Sequence, residues 1–121
     1  MRITWLGWLA GSLMAGCVSS LDPDRAPTIP DWLQARIEGL ARDPVSDPPA
    51  SVIQYSYRRQ TVYYFPPRQH CCDFASELFG AAGRRLCSPD GGITGAGDGG
   101  CPDFAARARR VRLVWVDPRV P

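Results

Sequence analysis

Residues 71–104, CCDFASELFGAAGRRLCSPDGGITGAGDGGCPDF, contain the feature that decides the fold of this chain. They hold four of its five cysteines, at Cys71, Cys72, Cys87 and Cys101. The last two enclose the run SPDGGITGAGDGG, in which six of thirteen residues are glycine. Because such a run cannot bury a side-chain core, we expect its backbone to be ordered by tight turns and by covalent links near its ends.

The even number of cysteines in this region predicts two disulfide bonds in an exported protein. Cys71 and Cys72 are adjacent, and because neighbouring side chains point apart, each is expected to pair with a distant partner. The alternatives are Cys72–Cys87 together with Cys71–Cys101, or the exchanged pairing. In the chain-entropy model, closing a loop of about 15 residues stabilises a domain by roughly 3 kcal/mol, so the bridges are expected to be structural.

The residues that precede this region predict one N-terminal helix. It is expected to begin at Thr28–Asp31, with Thr28 as the capping residue and Pro30 in the first turn. Apolar residues recur at helical spacing from Trp32 to Ala41, which indicates an amphipathic helix of about three turns. Pro44 follows and ends it.

Three stretches predict β-strands, and the hairpin formed by the first two is expected to pack on the helix. SVIQYSY (51–57) and TVYYF (61–65) are rich in β-branched and aromatic residues across a short gap, and RVRLVWV (110–116) alternates. We expect Ile53, Tyr55 and Tyr57 to face the helix, and 74–78 to form a short helical turn. The predicted class is α+β, with a small, mostly antiparallel sheet and a disulfide-tied, glycine-rich insertion.

The first residues of the chain predict export. Arg2 precedes an apolar run at 3–15, which is shorter than the roughly 18 residues of a membrane span and is typical of a signal peptide. The sequence LMAGC at 13–17 resembles the lipobox of bacterial lipoproteins, which implies acylation of Cys17 and attachment to a membrane.

These features predict the organisation and location of the chain. A signal peptide is expected at 1–16, a lipidated N-terminus and tether at 17–29, and a single disulfide-stabilised α+β domain at 30–119. The protein is expected to be anchored by lipid in the cell envelope. Val18 follows the cysteine, and by resemblance to other lipoproteins this implies sorting to the outer membrane if the host is Gram-negative.

The charge of the chain argues against one class of partner. The formal net charge is +2 at pH 7, and it falls towards zero once Arg2 leaves with the signal peptide. A protein that binds nucleic acid needs a clear excess of basic charge to neutralise phosphates. No nucleic-acid partner is therefore predicted.

Several motifs resemble a known family. TVYYFPP, CCD, CSPDGGITGAGDGGCPDF and LVWVDPR together resemble small bacterial proteins of unknown function, many of them lipoproteins. The resemblance covers residues 30–119. It implies a fold and a compartment, but no chemistry, because the family has no assigned activity.

The residues predicted to bind a ligand lie in and beside the glycine-rich loop. They are Asp90, Ile93, Thr94, Asp98 and Asp103. A braced loop on a rigid scaffold commonly carries recognition, so a protein, peptide or glycan ligand is expected. The alternative is a structural role in which the loop covers one end of the sheet. Either way, the sequence predicts a binding or structural module without a cofactor rather than an enzyme.

A competing hypothesis is a calcium- or metal-dependent site, with hydrolysis as its possible chemistry, formed by the three loop aspartates and His70. An EF-hand loop counted from Asp90 would need oxygen ligands at its third and twelfth positions, which here are Gly92 and Cys101. The single histidine has no recognisable nucleophile motif beside it. No catalytic residue and no metal ligand are assigned from the sequence.

Overall fold

The structure is a computed structural model that describes residues 28–68 and 74–121, together with Gly11 and Gly16. The five strands form one sheet in the order β4-β3-β2-β1-β5, and every neighbouring pair is antiparallel. This sheet and its two helices agree with the predicted α+β class. The elements in chain order are α1 (Asp31–Arg42), β1 (Ser51–Tyr57), β2 (Gln60–Phe65), β3 (Glu77–Gly80), β4 (Arg85–Cys87), α2 (Phe104–Arg107) and β5 (Arg109–Val116).

Helix α1 begins one residue after Pro30. The Pro30 carbonyl accepts the amides of Leu33 and Gln34, both at 3.0 Å, so Pro30 occupies the capping position. The predicted cap, Thr28, is wrong by two positions, because the backbone at Pro30 is still extended. The helix ends where the Asp43 amide bonds to the Gly39 carbonyl and the backbone becomes extended again.

Strands β1 and β2 form the predicted hairpin. The two turn residues, Arg58 and Arg59, have positive φ angles of 50° and 62°, and Tyr57 lies opposite Gln60. Two consecutive positive φ values are characteristic of the tight turn whose twist matches that of the flanking strands. The hairpin therefore closes across two residues, and β2 begins one residue earlier than predicted.

One side of the sheet, the helix face, packs against α1. Leu33 and Ile37 of α1 form a buried cluster with Val52, Tyr63, Phe65 and Phe79. The prediction that Ile53, Tyr55 and Tyr57 face the helix is therefore wrong. The helix contacts the opposite side of β1, where Val52 is buried, because each side of this sheet carries its own buried cluster.

The other side, the loop face, packs against residues 101–108, named here the return segment, which follow the glycine-rich loop. Its buried cluster includes Tyr57, Tyr64, Leu78 and Phe104 as well as Cys87 and Cys101. The Phe104 ring contacts the rings of Tyr55, Tyr57 and Tyr64 at centroid distances of 5.1, 5.4 and 5.6 Å. The cysteine region is thus the second layer over the sheet.

The stretch predicted as a helical turn at 74–78 instead leads into a strand. Glu77–Gly80 pairs with β2, with Leu78 opposite Tyr64 and Phe79 opposite Tyr63. Leu78 and Phe79 are buried on opposite sides of the sheet, in the loop-face and helix-face clusters respectively. Because both faces of β3 are covered, its sequence lacks the alternation that normally reveals a strand.

The hairpin turns define two ends of the sheet. At the turn end lie the β1–β2 turn, the β3–β4 turn at 81–84 and the start of β5, because Ser56 pairs with Arg109 and Val62 with Gly80. The opposite, loop end holds the starts of β1 and β3 and the end of β5. Helix α1 runs from the turn end, where Trp32 Nε1 donates to the Ala81 carbonyl at 2.8 Å, towards the loop end.

At the loop end, the last residues of the chain fasten α1 to the sheet. Arg119 Nη2 donates to the carbonyls of Asp43 at 2.8 Å and Leu40 at 3.3 Å, and it pairs with the buried Asp117 carboxylate at 2.8 Å. The Asp117 amide donates to Ala50 at 2.8 Å. One arginine thereby satisfies the final carbonyls of the helix, which otherwise lack donors.

Candidate functional site

The glycine-rich loop is closed at its base by a disulfide bond between Cys87 and Cys101. Both predicted pairings, in which these two cysteines bond to Cys71 and Cys72, are therefore wrong. The reason is geometric: Cys87 ends β4 and Cys101 opens the return segment, and both side chains are buried in the same loop-face cluster. Cys71 and Cys72 lie outside the described residues.

Residues 88–100 between these cysteines, named here the disulfide loop, form a folded backbone. The amides of Gly91, Gly95 and Gly97 donate to the carbonyls of Gly95, Gly92 and Gly91 at 3.0–3.2 Å. The loop is also joined to the start of β3, since the Ser76 amide donates to the Asp90 carbonyl and the Gly92 amide donates to the Phe74 carbonyl. The glycines of the disulfide loop are therefore part of an ordered backbone conformation.

Gly97 shows why glycine is required in this loop. Its φ is +68°, and a Cβ there would overlap the Ser88 carbonyl oxygen. At Gly99, φ is also positive, at +75°, but nothing lies within 4 Å of the position that a Cβ would occupy. Both glycines therefore have a backbone angle that favours glycine, but only Gly97 also lacks space for a side chain.

Asp98 holds the two arms of the loop together. Its carboxylate accepts the Gly100 amide at 2.9 Å and the Ser88 amide at 3.0 Å, with Arg85 3.5 Å away. These hydrogen bonds, first that of Gly100, lower the pKa of the Asp98 carboxyl below its ordinary value. The side chain predicted to bind a ligand is thus used to close the loop.

Asp90 and Asp103 each accept a hydrogen bond from a tyrosine of the sheet. Tyr64 Oη donates to the Asp90 carboxylate at 2.8–2.9 Å, and Tyr57 Oη donates to Asp103. Burial and these bonds raise the pKa of both phenols, so each stays protonated at neutral pH. Neither tyrosine was predicted to belong to the site, although their place on one face of neighbouring strands is a signal that the sequence carries.

Asp103 also sits among positive charges. Arg58 lies 3.2 Å and Arg107 lies 3.8 Å from its carboxylate. The Tyr57 hydrogen bond, and then Arg58, lower the pKa of this carboxyl. Asp103 joins the return segment to the β1–β2 turn, at the opposite end of the sheet from the disulfide loop.

The apex of the disulfide loop is exposed to solvent. The Ile93 side chain is 85% exposed, and Thr94 beside it is also exposed. The Thr94 hydroxyl accepts the Ala96 amide at 3.3 Å, which turns the backbone back after the apex. Asp90 and Asp98 are exposed as well, but their carboxylates are engaged in hydrogen bonds within the domain. Of the five predicted binding residues, Ile93 and Thr94 are therefore the exposed ones whose side chains are not tied to another element of the fold.

The three loop aspartates do not converge. Within residues 28–68 and 74–121, no three or more His, Cys, Asp or Glu side chains are close enough to hold a metal ion. The predicted metal alternative therefore finds no ligand set among these residues. His70 and the lipidation candidate Cys17 lie outside the part of the chain that the structure describes.

A cleft of about 290 Å³ opens beside the loop end, between α1 and the start of β3. Its wall includes Phe65, Phe74 and Ser76. The Arg36 side chain lines this cleft. Its guanidinium carbon lies 4.5 Å from the centroid of the Phe79 ring, and its Nη2 lies 2.9 Å from the Glu77 carboxylate. The sequence analysis did not predict this cleft, because its walls come from elements far apart in the chain.

Neither described helix has both the length and the apolar content needed to span a bilayer. A search of curated proteins and a search of solved structures each found no match. The sequence does match a family described as a domain of unknown function, DUF6970, over residues 38–117, which include the whole sheet and the disulfide loop. Since this match covers more than half of the chain, the protein belongs to the DUF6970 family.

Proposed function

We propose that this protein is a lipid-anchored binding module of the cell envelope that presents the disulfide loop to a protein partner. The observation that carries the proposal is Ile93, a large apolar side chain 85% exposed at the apex of a covalently closed loop. An apolar side chain held on a rigid support loses little conformational freedom when it enters a pocket, which favours binding.

The position of the loop supports presentation away from the membrane. The disulfide loop is joined to residues 74–76 at the loop end, whereas α1 begins at the turn end, beside Ala81. An anchor at Cys17 reaches the domain through α1, so it would leave Ile93 on the far side. The partner is therefore expected in the aqueous space of the envelope or on a facing surface.

The chemistry of the loop supports binding rather than catalysis. The carboxylates of Asp90, Asp98 and Asp103 accept hydrogen bonds from side chains or amides of the domain itself. The raised pKa of the Tyr57 and Tyr64 phenols removes them as bases at neutral pH. What the loop offers a partner is shape, the Ile93 side chain and the Thr94 hydroxyl.

The test is site-specific photo-crosslinking in cells that produce the full chain. A benzophenone amino acid at position 93 is expected to give one discrete adduct, and an excess of untagged wild-type protein should compete it away, whereas an untagged Ile93→Asp protein should not. Position 120 is the matched control, because Val120 is also apolar and is 87% exposed but lies outside the disulfide loop. Equal adducts at both positions, or none at 93, would contradict the proposal.

The anchor is tested separately. Mass spectrometry of the N-terminal peptide is expected to show a diacylated Cys17, and Cys17→Ser should move the protein out of the outer-membrane fraction of a Gram-negative host. Retention of the Cys17→Ser protein in that fraction would contradict lipid anchoring while leaving the crosslinking result unaffected.

A further inference from the structure

Half of the described arginines lie at the turn end of the sheet. The six found there are all exposed: Arg58, Arg59, Arg84, Arg107, Arg109 and Arg110. Two acidic residues, Asp31 and Asp103, lie at the same end, so its formal charge is +4. The other described residues have six arginines and seven acidic side chains, a formal charge of −1. The small net charge of the whole chain hides this separation.

Five of the turn-end arginines, all except Arg84, lie around the β1–β2 turn and the start of β5. Arg58 and Arg107 share the single carboxylate of Asp103, at 3.2 and 3.8 Å. Arg109 and Arg110 pair with Ser56 and Tyr55, immediately before the hairpin turn that carries Arg58 and Arg59. The Asp103 carboxylate thus faces two guanidinium groups, and the patch keeps an excess of positive charge.

The chain enters the domain at this same end. Trp32, in the first turn of α1, bonds to Ala81 in the β3–β4 turn, and its ring lies 3.0 Å from where a Cβ of Gly83 would be. Eleven positions separate Cys17 from Thr28, so the chain between them spans at most roughly 40 Å. An acyl anchor at Cys17 therefore leaves the turn end within reach of the bilayer surface.

We propose that the turn-end arginines dock the domain on anionic lipid headgroups of the membrane that anchors it. This inference rests on the anchored module proposed above. Charge complementarity favours the contact, because basic side chains are attracted to an anionic bilayer within about a screening length. The acyl chains at Cys17 attach the protein, and a basic patch adds an electrostatic contact with the bilayer surface to that attachment. Docking fixes the orientation of the domain and points the disulfide loop outward.

The experiment is arginine footprinting of the full chain in vesicles. The protein is reconstituted in phosphatidylcholine vesicles and in phosphatidylcholine mixed with phosphatidylglycerol, and phenylglyoxal modification is read by mass spectrometry. Arg59, Arg109 and Arg110 are expected to react about fivefold more slowly in the anionic vesicles, the factor expected for one arginine attracted to such a surface. Arg42, exposed near the end of α1 that points to the loop end, is the internal control.

Protection is expected to disappear in about 1 M NaCl, where the screening length is roughly 3 Å. Equal modification in both vesicle types, equal protection of Arg42, or no flotation with the anionic vesicles would overturn the proposal. Protection by soluble heparin but not by the anionic vesicles would also overturn it, since it would identify a soluble polyanion as the partner.

The failure of the anchor can be distinguished from the failure of docking. The same spectra report whether Cys17 is acylated, and protection of the turn-end arginines is measured independently of that result. Arg59→Glu combined with Arg109→Glu and Arg110→Glu should abolish the effect of anionic lipid on the remaining turn-end arginines. Arg42→Glu should leave it unchanged.

Discussion

Tyr57 on β1 and Asp103, 46 positions later in the chain, are joined by a hydrogen bond from the phenol to the carboxylate. The bond fastens the segment that returns from the disulfide loop to the turn end of the sheet. Phe104, the next residue, packs its ring at 5.4 Å from that of Tyr57. This pair therefore connects the loop-face layer with the sheet that it covers.

Tyr57→Phe should destabilise the domain by about 1 kcal/mol, because it removes one hydrogen bond but keeps the packing of the ring. The measurement is the free energy of unfolding in urea. Tyr55→Phe is the matched control, because the Tyr55 ring also contacts Phe104, at 5.1 Å, and its hydroxyl has no hydrogen bond among the described residues. Equal effects of the two substitutions would show that the Tyr57–Asp103 bond contributes nothing specific.

The Cys87–Cys101 bridge should contribute about 3 kcal/mol to stability, since it closes a loop with a sequence separation of 14. Replacing both cysteines by alanine should lower the free energy of unfolding by about that amount. The pairing itself is checked by peptide mapping under non-reducing conditions. Trypsin leaves both cysteines within residues 86–107, so cleavage before Asp90 and Asp98 is needed to separate them. A disulfide between Cys87 and any other residue would contradict the structure.

Acid should destabilise the domain through Asp98 and Asp103. Both carboxyls have a lowered pKa in the folded state, Asp98 chiefly from the Gly100 amide and Asp103 chiefly from Tyr57. A carboxyl whose pKa is lower in the folded state than in the unfolded state stabilises the domain at pH values above the unfolded pKa of about 3.9. This stability is lost as the pH falls through the folded pKa. The melting temperature should therefore be nearly constant from about pH 7 to 5 and fall below about pH 4.

Asp98→Asn should flatten this acid dependence, because a neutral amide does not titrate. The measurement is the melting temperature of wild type and variant across the same pH range. Asp31→Asn, in the exposed first turn of α1, serves as the control. If Asp31→Asn flattens the dependence of the melting temperature on pH as much as Asp98→Asn does, the acid sensitivity arises outside the disulfide loop.

The parts of this fold that could be predicted are those whose sequence pattern is local. The hairpin, helix α1 and strand β5 carry their own periodicity, and each was located to within a few residues. Strand β3 could not be recognised, because Leu78 and Phe79 are buried on opposite faces and their four-residue strand has no alternation. For the same reason β1 gave no sign of which face meets the helix.

The candidate site depended on contacts that sequence does not encode locally. Four cysteines allow three pairings, and the expectation that the adjacent Cys71 and Cys72 bond to distant partners wrongly excluded the one that contains Cys87–Cys101. Asp90 and Asp103 were identified as notable, but their partners Tyr64 and Tyr57 lie 26 and 46 positions away. The charge patch was missed because net charge sums over the chain, while the hairpins gather arginines from separate segments at one end.

Gly97→Ala should disrupt the disulfide loop far more than Gly99→Ala. Both glycines have positive φ, at which an alanine costs roughly 1 kcal/mol. At Gly97 the added Cβ also overlaps the Ser88 carbonyl oxygen and would lie 2.8 Å from the Asp90 amide nitrogen. That carbonyl accepts the Asp98 amide at 3.0 Å, so the overlap must push apart the two arms of the loop.

The measurement is hydrogen exchange at the Asp98 amide together with the melting temperature. Gly97→Ala is expected to speed exchange at this amide at least about tenfold more than Gly99→Ala does, which corresponds to roughly 1.4 kcal/mol of local stability beyond the cost of the positive φ. Because Ile93 is presented by this backbone, Gly97→Ala should also weaken crosslinking from position 93. Unchanged exchange in Gly97→Ala would mean that the two arms of the loop are not held together through the Ser88 carbonyl.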